Sequence, residues 1–402
     1  MLRFELEQIL ADQKQYFETG ARIIGRTLAG SMHLEVPKAV IVSGIRRSGK
    51  STLLKDLLRE KRDVVGYVHF DDPRLNEFKL ADFYTLEDIW KDKSYFQFDE
   101  IQKIERWEEY IRHGVERNRR FAITGSNAGL LSKELGTLLT GRHTTYELFP
   151  FSYREFLDYH TTEPTFASFE AYRKHGGFPE ALVYDMPGYH QELFQDIVQR
   201  DIAVRYGIRN SYDLNNVALH LINNLGRPFS FSAIARHYGI QSITSVADYV
   251  RMFEDAYVLS VVPRFDYSFR RQQNNPKKAY IVDHAFARAN STQLHADYGR
   301  ILENMVFMEL RRQTKSIWYF KETNECDFVC QHGAQTSLYQ SCWELTGANK
   351  DREINGLLEA MRFFHLDTGV LVTANQSDTL RVDGAEIHIV PFYQWAGGGV
   401  GD

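Results

Sequence analysis

Two hydrophobic periods alternate along the first part of the chain. Residues 39–43, Ala-Val-Ile-Val-Ser, form a short apolar run rich in β-branched side chains, the pattern of a strand buried on both faces of a parallel sheet. A helical period takes over in Lys50-Ser-Thr-Leu-Leu-Lys-Asp-Leu-Leu58, and strand patterns recur at residues 64–70, 93–99, 120–124 and 143–148. Past residue 150 the rhythm changes. Residues 150–205 read as helical, interrupted at Gly176-Gly177-Phe178-Pro179. Residues 217–225 are amphipathic, residues 229–240 give a helix and a turn, residues 245–257 a second helix and residues 258–262 a strand. That succession predicts a helix-turn-helix followed by a wing. A helix at residues 299–312 and strands at 317–320, 326–330 and 337–345 follow.

Composition narrows the class. A chain of 402 residues has room for several domains, and the pattern divides it at 1–150, 151–210, 211–275 and 276–402. Apolar residues make up 43% and charged residues 25%, which excludes a disordered or fibrous chain. No run approaches the roughly 18 apolar residues of a membrane span, and Met1-Leu-Arg-Phe-Glu-Leu-Glu-Gln lacks a signal-peptide core. Only Cys326, Cys330 and Cys342 are present, so a disulfide scaffold is excluded and a reducing, cytoplasmic location is expected. A net charge of -5 argues against coating nucleic acid wholesale but leaves room for a local basic patch.

The junction of the first strand and helix carries chemistry. Gly44-Ile-Arg-Arg-Ser-Gly-Lys50-Ser51 matches G-x-x-x-x-G-K-[ST] at every position. Gly44 and Gly49 let successive N–H groups turn toward a phosphate, and the helix N-terminus adds its positive dipole end. Lys50 would place charge on the β- and γ-phosphates of ATP, and Ser51 a hydroxyl on Mg²⁺. Gly44, Arg46, Arg47, Ser48, Gly49, Lys50, Ser51 and Thr52 are the expected phosphate-binding residues. The strand ending Phe98-Asp99-Glu100 supplies the second half: Asp99 to orient the Mg²⁺ shell, Glu100 as the base that polarises water. One strand lies between the two motifs and a Glu stands beside the Asp, which resembles the ATPase group that inserts an extra strand centrally; the resemblance implies an α/β parallel sheet of order 5-1-4-3-2. In that order Thr124 and Ser126, at the end of the fourth strand, would sense the γ-phosphate, with Asn127 a weaker candidate. A simple turn at Thr124-Gly-Ser-Asn127 is the alternative.

These motifs occur in one order with Leu139-Thr-Gly-Arg142, Leu148-Phe-Pro-Phe-Ser-Tyr-Arg-Glu-Phe156 and Gly176-Gly-Phe-Pro-Glu180. The combination resembles the prokaryotic AAA-superfamily ATPases that carry a C-terminal domain of unknown function. The resemblance implies a catalytic or sensing role for Arg142, reaching a neighbouring copy in a homo-oligomer; an Arg142 that merely pairs with a surface carboxylate remains the alternative. It also implies a helical lid at 151–210, in which Gly176-Gly-Phe-Pro-Glu180 fixes a turn.

The last quarter resembles the restriction-endonuclease-like core, where a helix Glu, a strand Asp and a Glu/Gln-x-Lys collect Mg²⁺ and a base. Glu303 and Asp327 fill the first two places. The third reads Gln340-Ser-Cys342, so the lysine is missing and a degenerate site is expected. Lys350 lies nearby, but nothing in the pattern brings it in. Arg264, Arg270, Arg271, Lys277 and Lys278, interleaved with Phe265, Tyr267 and Phe269, form a basic stretch suited to nucleic-acid phosphates; contact with a protein partner is the alternative. The expected function is Mg²⁺-dependent ATP binding and hydrolysis that drives or switches such contacts. Two alternatives stay open: a nucleotide-gated module with little turnover, and an ATP-dependent nuclease.

Overall fold

The computed structural model describes residues 1–18, 24–127, 139–184, 186–291 and 297–398. Contacts divide the chain into two units, Met1–Pro150 with Asp255–Tyr257, and Phe151–Glu254 with Val258–Asp402.

The first unit is built on five parallel strands: β1 (Ala39–Ser43), β2 (Val65–His69), β3 (Tyr95–Asp99), β4 (Arg120–Gly125) and β5 (His143–Glu147). Their order, β2-β3-β4-β1-β5, is the expected 5-1-4-3-2 read from the other edge. Alternation along β3 sorts its side chains onto two layers. Phe96 and Phe98 join Phe70, Phe83, Trp107, Tyr110 and Phe121 in one apolar cluster. Tyr95 packs on the other face with Val40, Val42, Leu53 and Leu54, the last two from the helix Lys50–Leu57. Asp99 shares the parity of Tyr95, which places its carboxylate on the layer of the helix that follows the Gly-rich loop. Strand β2 lies at an edge. There the Gln13 side chain accepts from His69 N at 2.8 Å and donates to His69 O at 3.1 Å, satisfying edge groups that another chain could otherwise pair with.

The second unit begins with helices Tyr153–His160, Phe166–His175, Pro179–Tyr184 and Tyr189–Asp196, then a π-helical stretch Ile197–Val204. The Phe-Ser-Tyr-Arg-Glu run is a capping box: Ser152 Oγ accepts from Glu155 N at 3.1 Å and Glu155 Oε2 from Ser152 N at 2.9 Å. Gly177 is a point of close approach, since a Cβ there would lie 2.3 Å from Phe151 O, and its N–H donates to Asp283 Oδ2 at 2.7 Å. Helices Ser211–Asn223, Phe231–Tyr238 and Ile243–Asp255 lead into an antiparallel hairpin of β6 (Leu259–Pro263) and β7 (Lys277–Ile281), with a short helix Phe269–Asn274 between the strands. After helices His284–Asn290 and Tyr298–Gln313 comes a six-stranded mixed sheet. Its strands are β8 (Ile317–Lys321), β9 (Glu325–His332), β10 (Gln335–Cys342), β11 (Thr368–Thr373), β12 (Asp378–Val382) and β13 (Ala385–Pro391), in the order β12-β13-β11-β10-β9-β8. The helix Lys350–Phe364 joins the parallel pair β10 and β11 and seats Gly356 on β9, where a Cβ would lie 2.1 Å from Glu325 O. No helix of the described residues is long and apolar enough to cross a membrane.

Candidate functional site

The loop between β1 and the helix Lys50–Leu57 turns through left-handed backbone at Arg47 (φ 67°) and Gly49 (φ 94°). Gly44 tolerates no side chain, because a Cβ would fall 2.1 Å from Leu148 O. The buried guanidinium of Arg26 fastens the loop, donating to Ser48 O at 2.8 Å and Phe149 O at 2.6 Å. Lys50 Nζ donates to Gly44 O and Ile45 O, each at 3.0 Å, so the ammonium lies across the mouth of the loop. The Ser48 hydroxyl is buried without a hydrogen-bond partner among the described residues.

Asp99 ends β3 fully buried. Thr124 Oγ1 donates to its Oδ1 and Tyr67 OH to its Oδ2, each at 3.0 Å, and the Ser51 hydroxyl also bonds it. Burial pushes the Asp99 carboxyl above the usual carboxylate range, against the opposing pull of the His69 charge and those three hydroxyls. Glu100 adopts φ 55°, which turns the chain sharply after the strand. Its N–H donates to Thr124 Oγ1 at 3.2 Å, and its Oε2 accepts from Ser126 Oγ at 3.1 Å and Gln102 Nε2 at 2.5 Å. Thr124 therefore joins both members of the acidic pair, and Ser126 holds the second. Arg142 is half exposed and pairs with Glu116 at 3.1 Å. Arg46 approaches Asp71 at 4.0 Å. The sequence reading missed Tyr67, Gln102 and Arg26. Tyr67 lies two residues before His69, which pairs with Asp99, so strand register was the signal for it.

The second carboxylate centre departs from expectation. Asp327 lies just past the last β9–β10 pair, Phe328 with Tyr339, and side chains take over the ladder there. Gln340 Oε1 accepts from Asp327 N at 3.0 Å, while Asp327 Oδ2 accepts from Ser341 N at 3.0 Å and Ser341 Oγ at 2.9 Å. Gln340 Nε2 donates to Glu353 Oε2 at 2.7 Å. A lysine reaches this centre from β7 instead. Lys278 Nζ reaches Glu325 Oε1 at 2.9 Å, and Glu303 Oε1 and Asp327 Oδ1 at 3.1 Å each. Tyr280 OH donates to Glu303 Oε1 at 2.7 Å. Lys278 is only 1% exposed, so it is not the surface phosphate contact that its place in the basic stretch predicted; the run of strand residues after it carries it inward. Arg270 and Arg271 remain exposed, with Tyr267 and Phe269. Burial opposes the Lys278 charge, but Glu303, Tyr280, Asp327 and Glu325 together hold the ammonium well above its ordinary pKa. Burial, then the Asp327 charge, pushes Glu303 up to about 7 against Lys278 and Tyr280. Among the described residues no group of three or more His, Cys, Asp or Glu is arranged to hold a metal ion. The three cysteines are free and buried.

Comparison with known proteins agrees with the parallel sheet. An AAA domain family model matches residues 36–157, and a model described as a domain of unknown function (DUF8612) matches residues 167–295. The uncharacterized protein MJ1544 of Methanocaldococcus jannaschii is 30% identical over 97% of this chain and 94% of its own. An uncharacterized protein of Haemophilus influenzae is 30% identical over 86% of this chain and 92% of its own. Among solved structures, the RuvB Holliday junction branch migration motor of Thermotoga maritima aligns with 64% of this chain and 87% of its own at 16% identity, with a TM-score of 0.30. The chain belongs to the AAA-type ATPases, in a family whose archaeal and bacterial members match it along most of their length.

Proposed function

We propose that the first unit binds ATP with Mg²⁺ and hydrolyses it. The observation that carries this reading is the single hydroxyl of Thr124, which bonds both the Asp99 carboxylate and the Glu100 amide beside a complete phosphate loop. The loop fits a phosphate: a cradle with no room for a Cβ at Gly44, an unpartnered Ser48 hydroxyl and a lysine across its mouth. Gly44, Arg46, Arg47, Ser48, Gly49, Lys50, Ser51 and Thr52 would surround the phosphates, and Ser51 and Asp99 would hold the metal shell. Magnesium supplies charge neutralisation on the β- and γ-oxygens when bound. Glu100 takes a proton from water, Thr124 and Ser126 report the γ-phosphate to the acidic pair, and Arg142 completes the site of a neighbouring copy by leaving Glu116.

The nucleotide state would then switch contacts made by the second unit. The helices Phe231–Tyr238 and Ile243–Asp255 with the β6–β7 hairpin fit a winged helix, and exposed Arg270, Arg271, Tyr267 and Phe269 fit nucleic acid bound without strong sequence preference. Lys50→Ala tests the nucleotide assignment, by titration with a labelled ATP analogue and by steady-state turnover. Weakened binding and abolished hydrolysis are expected; affinity and turnover equal to wild type would overturn the assignment.

A further inference from the structure

The C-terminal carboxylates face a cation that the protein itself provides. Glu303 comes from the helix Tyr298–Gln313, Glu325 and Asp327 from β9, and all three converge on one ammonium of the β6–β7 hairpin. Further bonds at this centre also come from protein donors. Asp327 Oδ2 takes two bonds from Ser341, and Glu303 Oε1 takes the Tyr280 hydroxyl as well as Lys278. Gln340 Oε1, the third position of the expected metal set, accepts a backbone amide. Glu303 Oε2 faces Gly226, where a Cβ would come within 2.5 Å of it. A carboxylate buried without a counter-charge is strongly disfavoured, so a cluster of three needs a cation to fold around. Lys278, itself 1% exposed, meets that need from a strand outside the six-stranded sheet.

We propose that Lys278 is the resident cation of this centre: its ammonium stands in for a divalent ion, fastens the β6–β7 hairpin to the carboxylates of Glu303, Glu325 and Asp327, and keeps the cluster closed to metal. A divalent ion and the lysine are then alternatives for the same oxygens. The domain acts as a charge-locked platform rather than a metal-dependent hydrolase.

The test is a Mn²⁺ titration of the full-length chain without nucleotide, followed by the paramagnetic signal of free Mn²⁺ and by thermal melting. Wild type and Lys278→Met are compared, so any ion held elsewhere cancels. Lys278→Met should bind one more Mn²⁺ per chain than wild type, and Mn²⁺ should raise its melting temperature by several degrees while leaving wild type unmoved. Wild-type protein that binds a Mn²⁺ lost in Asp327→Asn would overturn the proposal, as would a Lys278→Met protein that takes up no additional ion. If Lys278→Met alone does not fold, adding Glu303→Gln and Asp327→Asn leaves only Glu325 charged, with Lys321 still beside it at 3.3 Å, and should restore folding; failure of that rescue also overturns it.

Discussion

The two units each gather carboxylates at the end of a strand, near a lysine, yet they satisfy them differently. Asp99 and Glu100 take bonds from neutral groups: the hydroxyls of Thr124, Tyr67, Ser51 and Ser126 and the amide of Gln102. Glu303, Glu325 and Asp327 share an ammonium. A neutral hydrogen bond contributes roughly 1 kcal/mol net and can be exchanged for another partner during a reaction cycle. Removing the cation from a buried charge cluster costs about 3–5 kcal/mol, because the carboxylates are left uncompensated. The first arrangement suits a centre that must admit a metal and a water and release them. The second suits a centre that stays shut. Similar residue types, a lysine with acids at a strand end, are thus proposed to serve turnover in one unit and fixation in the other.

The largest effect that sharpens this contrast is a pH dependence at the closed centre. Glu303, facing Lys278, Tyr280 and Asp327, has its carboxyl raised from an ordinary 4.5 to about 7, so the folded state holds a proton that the unfolded chain releases. Its contribution to stability is complete below about 4.5 and is lost as pH rises to about 7. At roughly 1.4 kcal/mol per unit, the change is on the order of 3 kcal/mol. Glu303→Gln mimics the protonated form and should therefore gain on wild type in urea unfolding as pH rises through that window. A stability difference between the two proteins that stays constant with pH would break this part of the contrast.

A smaller effect concerns the hairpin surface. With Lys278 turned inward, Arg270, Arg271 and Lys277 are left as the proposed phosphate contacts among the residues singled out near the end of the stretch. Neutralising those three should flatten the slope of log affinity against log salt on duplex DNA by up to roughly 2.7, at about 0.9 per contact. Lys277 is partly buried and donates to Gln273 O and Asn275 O, so its share should be the least. Slopes equal to wild type would place any nucleic-acid contact elsewhere.

Much of the first unit was legible because its information is local. The phosphate loop is eight consecutive residues bracketed by a strand and a helix, and the strand between Lys50 and Asp99, with Glu100 beside Asp99, pointed to an ATPase group whose sheet order this chain shares. The bonds of Thr124 to Asp99 and Glu100 follow from that order, since β3 and β4 are neighbours. Lys278 was not legible. It stands 25 residues before Glu303 and 49 before Asp327, inside a stretch whose charge reads as surface, and only tertiary packing decides that it points inward. One local signal existed: Lys278 runs directly into Ala-Tyr-Ile-Val, and a lysine continuous with a buried strand needs a buried partner. Arg26 escaped for the same reason, since its acceptors Ser48 O and Phe149 O lie 22 and 123 residues away.

Glu100 is the proposed base of a centre held by exchangeable bonds. Glu100→Gln preserves the shape of the side chain and its acceptor toward Ser126 and Gln102 while removing the charge. The deciding measurement is equilibrium binding of a labelled ATP analogue with Mg²⁺ alongside steady-state hydrolysis, on wild type and Glu100→Gln. Binding should be close to wild type while turnover falls by roughly 10²-fold or more, the usual scale for loss of a general base. Turnover at the wild-type rate in Glu100→Gln would contradict it.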